Sequence, residues 1–432
     1  TEVESEWPMY QYDARNTGHV PETVRIGSDV EEAWRFETDD RVVGAPAVVD
    51  GVAYVGTWDN NDGGTAEIRA IRADDGADVW HVQTDDHYTW ATPAVADGTV
   101  VVGTGNEGFV YALDATDGTQ KWVWDGPRGS ASGNPVVVDG TVYLGRSALD
   151  LASGEVLWGH DAGVESSAAV ADDTVYTHDG RLLYALAAAS GEERWRARRN
   201  RPYTFSTATT VANGVVLVGS SDFEKGTYAG EIRAFDAETG EPLWTTTVDD
   251  RVYGPLAVGD GTVYAGTLRG AVVAVDVATG DESWRHETNR TVKGLVLTTD
   301  RLYVGSDGVR ALRPSDGHQL WQTGTGSAIA LTGDTLLSGV ETFDGTDGGG
   351  VVALADAEEP DVSVIDSLPV TITEPGRYEL GSDLQTGQEG VAVHVRTDDV
   401  VLDGNGHTLW GPGAADSVGV LVYAGEPGEA PP

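Results

Sequence analysis

The sequence predicts an all-β chain assembled from about eight similar units of four short strands each. Three observations lead to this prediction: a tryptophan that recurs about every 41 residues, glycine and alanine at fixed distances before it, and Asp-Gly or Asn-Gly pairs between β-branched runs. A single unit of this kind could not bury its apolar faces alone, so we expect neighbouring units to stack on one another.

The recurring tryptophans are the strongest periodic signal. Glycine lies four residues and alanine ten residues before each of the last seven, as in ALDATDGTQKW, AFDAETGEPLW and AVDVATGDESW. Such a glycine supplies the positive φ of a tight turn. We predict that each tryptophan packs between neighbouring sheets and that the small alanine lets those sheets approach. The eight structural tryptophans are Trp34, Trp80, Trp122, Trp158, Trp195, Trp244, Trp284 and Trp321.

A second block upstream of each tryptophan block supplies two more strands. TPAVADGTVVVG, NPVVVDGTVYLG and GPLAVGDGTVYAG place apolar residues on both sides of an Asp-Gly pair. That pattern is the strongest short-range indication of a β-hairpin. Four-stranded units repeated about every 41 residues are typical of a β-propeller, whose blades close into a ring.

The two ends of the repeat region predict the number of blades. The last unit, residues 328–359, has three strands and Ala353 but no tryptophan strand, whereas residues 31–38 form a tryptophan strand with no strands before it. The N-terminal strand should therefore complete the last blade. We predict an eight-bladed β-propeller over residues 31–359, preceded by a lead-in segment, residues 1–30.

Residues 360–432 follow a different pattern. The tryptophan period stops, and GVAVHV recurs as GVLVYA 29 residues later, among Gly, Asn and Asp turns. This region resembles the opening coils of a right-handed parallel β-helix, so we predict a small β-helix-like appendage. Because about three such coils are normally needed for stability, we expect these coils to stack on something else or to continue in a longer chain.

Composition and charge exclude several classes of function. The chain has 70 acidic and 27 basic residues, a net charge of −43, and no cysteine. Nucleic acid is excluded as a partner because the phosphate backbone requires a basic surface. Disulfides and thiolate chemistry are excluded, and no apolar run approaches the roughly 18 residues of a membrane span. The composition resembles that of proteins from salt-loving archaea, since about 1 M salt screens such self-repulsion.

The two sequence blocks together resemble the repeat of pyrroloquinoline-quinone (PQQ) enzymes, near G-x-V-Y-V-G and A-L-D-A-x-T-G-x-x-x-W. The segment WPMYQYDARNTGHVP, residues 7–21, is similar to the one that precedes the propeller in many archaeal members. The resemblance implies the propeller fold. It leaves function open, because the family includes quinone-dependent dehydrogenases and also non-catalytic propellers that assist outer-membrane assembly.

The resemblance to the dehydrogenases implies Ca²⁺ beside the quinone, a catalytic aspartate and, in many members, a vicinal cysteine pair. The cysteine pair cannot exist here. Asp114, Asp150, Asp236 and Asp276 all lie eight residues before a repeat tryptophan, so we interpret them as turn residues that bond the backbone. We therefore assign no catalytic residue and no cofactor-binding residue, and we expect no bound cofactor.

A glycine pattern in the second unit could be mistaken for a nucleotide-binding loop. Residues 103–108 read G-x-G-x-x-G, but the strand sequence FVYALD follows them. A dinucleotide site needs a helix N-terminus at that point, so we interpret this segment as a hairpin.

An arginine-rich run is the candidate partner interface. RWRARRNRP contains five of the 24 arginines within eight residues of a strongly acidic chain. Guanidinium groups bind carboxylates in forked pairs, so this run could dock an acidic surface of another subunit or form local ion pairs between blades. The candidate interface residues are Arg194, Arg196, Arg198, Arg199 and Arg201.

Other loop residues are weaker candidates. The loops at residues 57–65 and 343–350 could wrap Ca²⁺ through the carboxylates of Asp59, Asp62, Asp344 and Asp347, although solvated turns explain them more simply. Asn289 begins one N-glycosylation sequon. The loop aromatics Trp58, Tyr88, Trp90 and Trp124 could line a sugar- or peptide-binding mouth or could cover loop edges.

These observations predict a non-enzymatic extracellular or cell-surface scaffold of a halophilic archaeon. It would bind itself or other proteins through the C-terminal coils or the arginine run, as the subunit of a surface assembly or filament. The first alternative is a PQQ- and Ca²⁺-dependent dehydrogenase. The second is a surface protein that binds or cleaves polysaccharide, which is weakened by the small number of β-helix coils.

Overall fold

The fold is defined by a computed structural model of the chain. It describes residues 6–22, 24, 26–27, 30–58, 66–86, 88–89, 91–105, 108–126, 133–160, 166–199, 202–223, 228–324, 326–342, 348–357, 362–374, 376–385, 391–397, 400–404, 407–410 and 418–422. The chain divides into two compact units, Thr1–Asp356 and Ala357–Pro432. The division falls three residues before the predicted end of the propeller at residue 359.

The first unit consists of eight antiparallel sheets, one for each predicted blade. In chain order, the first four blades are β2 (Ala47–Val49), β3 (Val52–Gly56), β4 (Glu67–Arg72) and β5 (Asp78–Gln83); β6 (Ala94–Ala96), β7 (Thr99–Gly103), β8 (Phe109–Asp114) and β9 (Gln120–Asp125); β10 (Val136–Val138), β11 (Thr141–Leu144), β12 (Ser147–Asp150) and β13 (Val156–Gly159); β14 (Ala169–Ala171), β15 (Thr174–His178), β16 (Leu182–Ala187) and β17 (Glu193–Arg198).

Blades five to eight continue the same order, with one extra short strand in blade five. They are β18 (Thr204–Phe205), β19 (Thr210–Ala212), β20 (Val215–Ser221), β21 (Gly230–Asp236) and β22 (Pro242–Val248); β23 (Val252–Gly259), β24 (Thr262–Thr267), β25 (Ala271–Asp276) and β26 (Glu282–Glu287); β27 (Gly294–Leu297), β28 (Leu302–Gly305), β29 (Val309–Leu312) and β30 (Gln319–Gln322); β31 (Ala328–Thr332), β32 (Thr335–Val340), β33 (Gly349–Asp356) and β1 (Val30–Thr38).

The ring closes through the N-terminal strand. β1 pairs antiparallel with β33, and Trp34 lies opposite Ala353 in that pair. The inner strand of each blade also contacts the inner strands of both neighbouring blades, from β2 and β6 around to β31 and back to β2. The predicted eight-bladed propeller, with its last blade completed by the N-terminal strand, is confirmed.

Tight hairpins join the first two strands of the blades. Asp97 and Gly98 both have positive φ, 47° and 66°, and Asp139 and Gly140 repeat this conformation at 47° and 73°. Two consecutive positive φ angles define the type I′ turn that Asp-Gly favours, because its twist matches that of the strands. The glycine pattern G-x-G-x-x-G at residues 103–108 is followed by strand β8 and not by a helix, as predicted.

The repeat tryptophans join each blade to the next one. Trp80 Nε1 donates a hydrogen bond of 2.9 Å to Ala115 O, and Trp158 Nε1 donates one of 2.8 Å to Ala188 O. All eight indoles make such a bond, at distances from 2.7 to 3.3 Å. The repeat glycine lies against the ring: a Cβ on Gly191 would come within 2.5 Å of Trp158. Glycine is therefore required twice, for its φ of 70° and for this contact.

The lead-in segment belongs to the propeller unit and crosses its central channel. Its backbone carbonyls accept hydrogen bonds from the inner strands of several blades, at Val95, Val170, Val211, Val258 and Leu297. The fully buried Asn16 donates from its side-chain nitrogen to Ala168 O and Thr209 O, each at 2.8 Å. Because these bonds reach strands on different sides of the ring, the segment obstructs the channel.

The second unit is built from parallel strand pairs around a small core of its own. The strands are β34 (Val362–Ile365), β35 (Val370–Ile372), β36 (Gly376–Leu380), β37 (Leu384–Gln385), β38 (Val391–Val395), β39 (Val400–Asp403), β40 (Leu409–Trp410) and β41 (Val418–Val422). β34–β36–β39, β35–β38–β41 and β37–β40 form three sheets. The core contains Ile365, Ile372, Leu380, Val393 and Val395. Within the described residues of the chain, no helix has the length and apolar character to cross a membrane.

Candidate functional site

The loops at one end of the propeller surround a cavity of about 810 Å³ on the ring axis. These loops precede the inner strands or follow the second strands, which are antiparallel and therefore meet at the same end of each sheet. A volume of this size is in the range of cofactor and small-molecule sites. The residues that line this axial cavity include Tyr10, Trp58, Asn134, Ser166, His178, Asp179, Phe205, Ser206, Phe223, Tyr253, Lys293 and Glu341.

Aromatic rings form much of the cavity wall. Phe223 and Tyr253 are 52% and 54% exposed, which is unusual for rings of this size. The guanidinium of Arg251 lies 4.9 Å from the centroid of the Phe223 ring and holds it by a cation–π contact. Trp58 packs edge-on against Tyr88, with ring centroids 5.6 Å apart. These rings offer flat faces to a planar ligand.

Among the described residues, one ion pair faces the cavity. Lys293, in the loop before β27, donates a hydrogen bond to the carboxylate of Glu341, which follows β32. Each side chain is about one-third exposed, so both remain accessible to a ligand. Asn134 is more constrained, since its side chain accepts from Thr92 N at 2.7 Å and donates to Ser167 Oγ at 2.9 Å.

Two other titratable groups at the wall are held by the protein itself. Nε2 of His178 donates to Thr207 O at 2.7 Å, and its Nδ1 accepts from Gly180 N at 3.2 Å. Burial lowers the pKa of His178 to about 4, so the imidazole is neutral at neutral pH. Burial would raise the pKa of Asp179, but hydrogen bonds from Leu182 N, Arg181 N and Tyr184 Oη outweigh it and lower the pKa. Neither group is poised to exchange a proton with a ligand.

The lead-in segment places Tyr10 at the axial cavity. Desolvation deep in the ring raises the pKa of Tyr10, so its phenol stays protonated and can donate a hydrogen bond. Reasoning from the sequence missed this residue, because the segment was interpreted only as an approach to the first blade. The polar Asn16 and Gln11 in the same short segment were the available signal, since both use their side-chain amides inside the ring.

The arginine run lies on the outermost strand of blade four. Arg194, Arg196 and Arg198 alternate along β17 and are exposed, and Arg196 lies 3.6 Å from Glu193. Arg194 donates to Thr174 Oγ1 and Arg199 to Thr204 Oγ1. Arg201 lies outside the described residues. None of the four described arginines lines the axial cavity, and the role of the run as a partner interface stays a prediction.

The predicted Ca²⁺ loops cannot be placed. Asp59, Asp62, Asp344 and Asp347 all lie outside the described residues, as does Trp90. Among the residues that the structure does describe, no three His, Asp or Glu side chains lie close enough together to hold a metal ion. Asn289 is exposed in the turn after β26 with a φ of 66°, and its glycosylation stays a prediction.

The repeat aspartates are turn residues, as predicted. Oδ1 of Asp236 accepts from Thr239 N and Thr239 Oγ1, both at 2.8 Å, and Oδ1 of Asp276 accepts from Thr279 N at 2.8 Å. Hydrogen bonds from Thr239 lower the pKa of Asp236, and those from Thr279 lower the pKa of Asp276. Their carboxylates stabilise turns between the two outer strands of a blade.

The repeat and the fold together agree with a known protein family. The family model described as outer membrane protein assembly factor BamB, of the PQQ-like repeat type, matches residues 18–146, 146–229 and 228–358. The chain belongs to this family. The match spans the propeller and ends near the boundary between the two compact units.

Individual members of the PQQ-like group show how far the similarity extends. A quinohemoprotein alcohol dehydrogenase of Pseudomonas putida (ADH-IIG) is 34% identical over 173 residues, which are 38% of this chain and 20% of that protein. Quinohemoprotein alcohol dehydrogenase from Comamonas testosteroni has a TM-score of 0.67 at 15% identity, over 85% of this chain and 83% of that chain. BamB from Moraxella catarrhalis has a TM-score of 0.58 at 20% identity, over 76% and 98%.

These similarities differ in what they establish. At such low identity, the structural similarities show the fold alone. The chain spans about a fifth of the length of the curated dehydrogenases that it matches first.

The comparisons correct three expectations from the sequence. The curated relatives include quinone-dependent alcohol dehydrogenases, so the expectations of a non-enzymatic scaffold, of no enzymatic activity and of no cofactor are wrong. The physical reason lies in the architecture. Catalytic residues were sought among repeated positions such as Asp236, but repeated positions build the blades, and the cavity is lined by loops that differ from blade to blade.

Proposed function

We propose that the axial cavity binds a quinone cofactor of the PQQ class and that the propeller is the cofactor domain of a quinone-dependent alcohol dehydrogenase. The observation that carries the proposal is the 810 Å³ cavity on the ring axis, with aromatic walls and one accessible Lys–Glu pair. The names of the relatives support the same class of cofactor. The 432 residues contain no cysteine for thioether attachment of a haem, so the proposal is restricted to the quinone.

The described lining fits the organic cofactor in size and in ring chemistry. PQQ is a planar fused-ring quinone with three carboxylates, and planar rings stack on aromatic side chains. Trp58, Phe205, Phe223 and Tyr253 supply such faces. Lys293 supplies the one cationic side chain among the described lining residues, so we assign it to a carboxylate or quinone oxygen.

The metal that accompanies the quinone in the resembled dehydrogenases fits this lining less well. In the described part of the chain, no cluster of three acidic or histidine side chains is available. We therefore derive no step through a metal ion. Dialysis against PQQ with and without Ca²⁺ measures whether cofactor binding depends on the metal.

In the proposed reaction, residues of this chain bind and orient the ligand and accept a proton from the alcohol. A bound quinone supplies an acceptor for the two electrons and two protons that an alcohol loses when it becomes a carbonyl compound. Tyr10 can donate a hydrogen bond from the lead-in segment. Glu341 can accept the alcohol proton, because Asp179, the other described carboxylate of the cavity, is bonded to backbone amides and Tyr184. Lys293 donates a hydrogen bond to Glu341 and so orients its carboxylate beside the ligand.

A PQQ titration tests the proposal. Equilibrium dialysis of the full chain against PQQ, with and without Ca²⁺, should show saturable binding of one PQQ per chain. Alcohol oxidation with an artificial electron-accepting dye should require added PQQ. Replacing Lys293 with Gln should weaken PQQ binding by about tenfold, because a charge-assisted contact is lost.

A matched lysine provides the control. Lys121 lies on β9 and bonds Gly98 O and Thr99 Oγ1, away from the cavity lining, so Lys121→Gln should bind PQQ as the unaltered protein does. The proposal fails if the unaltered chain shows no saturable binding with or without Ca²⁺. It also fails if the two lysine variants bind equally.

We propose three further properties: an origin in a salt-loving organism, a location outside the cytoplasm and a β-helix in the C-terminal unit. The net charge of −43 supports an origin in a salt-loving organism. Raising KCl from ~0.1 M to ~1 M should then increase the protein's free energy of unfolding, because charge repulsion is screened; a decrease would contradict this. The description of the family model as an outer membrane assembly factor supports a location outside the cytoplasm. Parallel strand pairing supports a right-handed β-helix beginning within Ala357–Pro432.

A further inference from the structure

A second cavity of about 680 Å³ lies beside the axial cavity, between blades seven and eight. The two cavities share Lys293 and Glu341 in their linings, so the ion pair stands where they meet. We call the second cavity the side groove. Its lining consists of Arg35, Arg290, Thr291, Lys293, Ser306, Asp307, Gly308, Gly324, Gly326, Ser327, Val340, Glu341 and Thr342.

Glycine backbone forms part of the side groove. A Cβ on Gly308 would meet Thr323 O at 2.2 Å, so packing requires glycine there. Gly324 is different, because a Cβ at that position would meet no atom within 4 Å. The groove is therefore bounded by backbone at Gly308 and open at Gly324, which leaves room for a ligand.

The charges of the described residues in the side groove are compensated in pairs, with one exception. Arg310, whose side chain is 3% exposed, lies 2.8 Å from the carboxylate of Asp307. Lys293 pairs with Glu341 as described above. Glu32 binds Arg35 through two hydrogen bonds of 2.8 and 2.9 Å.

Arg290 is the exception. Within the described ranges of the chain it forms no ion pair, although acidic residues far outnumber basic ones. It is exposed and belongs to the loop between β26 and β27. An uncompensated guanidinium at a groove in a protein of charge −43 favours an anionic ligand.

We propose that the side groove binds a small organic monocarboxylate, with its carboxylate on Arg290 and the rest of the molecule extending towards Lys293. A guanidinium binds a carboxylate through a planar fork of two N–H donors. Asp307 and Glu341 line the same groove and would repel a second negative charge, so a monoanion fits better than a phosphate dianion. This inference goes beyond the proposed function, because it concerns a second ligand that can be measured without any quinone.

Calorimetric titration with gluconate tests the proposal on the full chain at fixed ionic strength. Gluconate is a monocarboxylate that fits a cavity of this volume, glucose is its uncharged counterpart, and inorganic phosphate is the dianion. Gluconate should bind and glucose should not, and phosphate should bind more weakly than gluconate. Raising the salt concentration should weaken gluconate binding.

Two substitutions should move the affinity for gluconate in opposite directions. Arg290→Gln should weaken it by about tenfold, because the forked contact is lost. Glu341→Gln should strengthen it by about threefold or more, because Lys293 is released and one repulsive charge is removed. Arg313→Gln, in the exposed turn after β29 and outside the lining of both cavities, is the matched control and should leave the affinity unchanged.

Several results would overturn the proposal. Absence of gluconate binding, equal binding of glucose, or tighter binding of phosphate would each exclude a monocarboxylate site. Unchanged affinity in Arg290→Gln would place any bound gluconate elsewhere. Failure of the PQQ titration leaves these measurements intact, since they contain no quinone, and failure of gluconate binding leaves the PQQ titration intact.

Discussion

The tryptophan contacts between blades and the lining of the axial cavity are opposite kinds of surface within one ring. Seven of the eight blades repeat the same contact, an indole N–H on a carbonyl of the neighbouring blade. The cavity lining differs from blade to blade: blade three supplies Asn134, blade six Tyr253, and the loop before blade seven Lys293. Each blade contact has the same surroundings and therefore uses the same residues. A ligand on the axis presents a different part of its surface to each loop, so the loop residues differ. Repetition therefore indicates structure, and its interruption marks the candidate site.

The tryptophan contact at the point of ring closure has a different acceptor from the other seven. Blade eight is completed by β1 and so has no turn between its two outer strands. Trp321 of blade seven nevertheless donates its indole N–H to Ile26 O, in the lead-in segment, at 3.3 Å. The lead-in thus replaces the missing turn and also delivers Tyr10 to the axial cavity.

Replacing one tryptophan of the blade contacts and one of the cavity lining by alanine should give the largest difference in the free energy of unfolding. Trp158→Ala removes a buried ring and its bond to Ala188, and it should lower the free energy of unfolding by about 3–5 kcal/mol. Trp58→Ala should cost less, because Trp58 is only partly buried and its backbone bonds to Arg41 remain. Chemical denaturation and PQQ dialysis of both variants check this, with PQQ binding weakened only in Trp58→Ala. If Trp58→Ala proves as destabilising as Trp158→Ala, the claim that the blade contacts and the cavity lining have different roles is wrong.

His178 should make the cavity wall sensitive to acid. Its folded-state pKa of about 4 lies below its ordinary value of 6.5, so unfolding takes up a proton between these values. Stability from this group is therefore complete above pH 6.5 and should fall by about 3 kcal/mol as the pH decreases to 4. Denaturant titrations across this range should show a flatter pH dependence in His178→Gln than in the unaltered protein.

The exposed His81 on β5 is the control for that measurement. His81→Gln should keep the pH dependence of the unaltered protein, because about half of the His81 side chain is exposed to water. An unchanged slope in His178→Gln would mean that other groups cause the acid sensitivity.

Two glycines with nearly the same φ should separate backbone strain from the tryptophan contact. Gly191 and Gly214 have φ of 70° and 77°, but a Cβ would strike Trp158 only at Gly191 and would meet nothing within 4 Å at Gly214. Gly214→Ala should cost about 1 kcal/mol of backbone strain, and Gly191→Ala about 1–3 kcal/mol more. Thermal and chemical unfolding of the two variants measure the difference. Equal losses would show that the glycine beside the indole is needed only for its φ.

The predictable part of the molecule was the part governed by local rules. The Asp-Gly pairs predicted hairpins because only a few residues tolerate positive φ, and they formed at Asp97 and Asp139 as expected. The tryptophan spacing predicted four strands per blade, and the unpaired strand at residues 31–38 predicted closure by β1. The cavity residues could not be predicted in this way. Lys293 and Glu341 are 48 residues apart, and no local pattern signals that they meet.

The amino-acid sequence by itself determined the blades, their number and the closure of the ring, because hairpin turns and periodic apolar residues act within about 40 residues. It also determined the acidic surface, which is a matter of composition. Only the tertiary structure decided which loops meet on the axis, that the lead-in segment brings Tyr10 there, and that Arg290 is left without a described counter-charge beside the side groove. Those arrangements depend on ring closure, which brings together side chains from opposite ends of the chain.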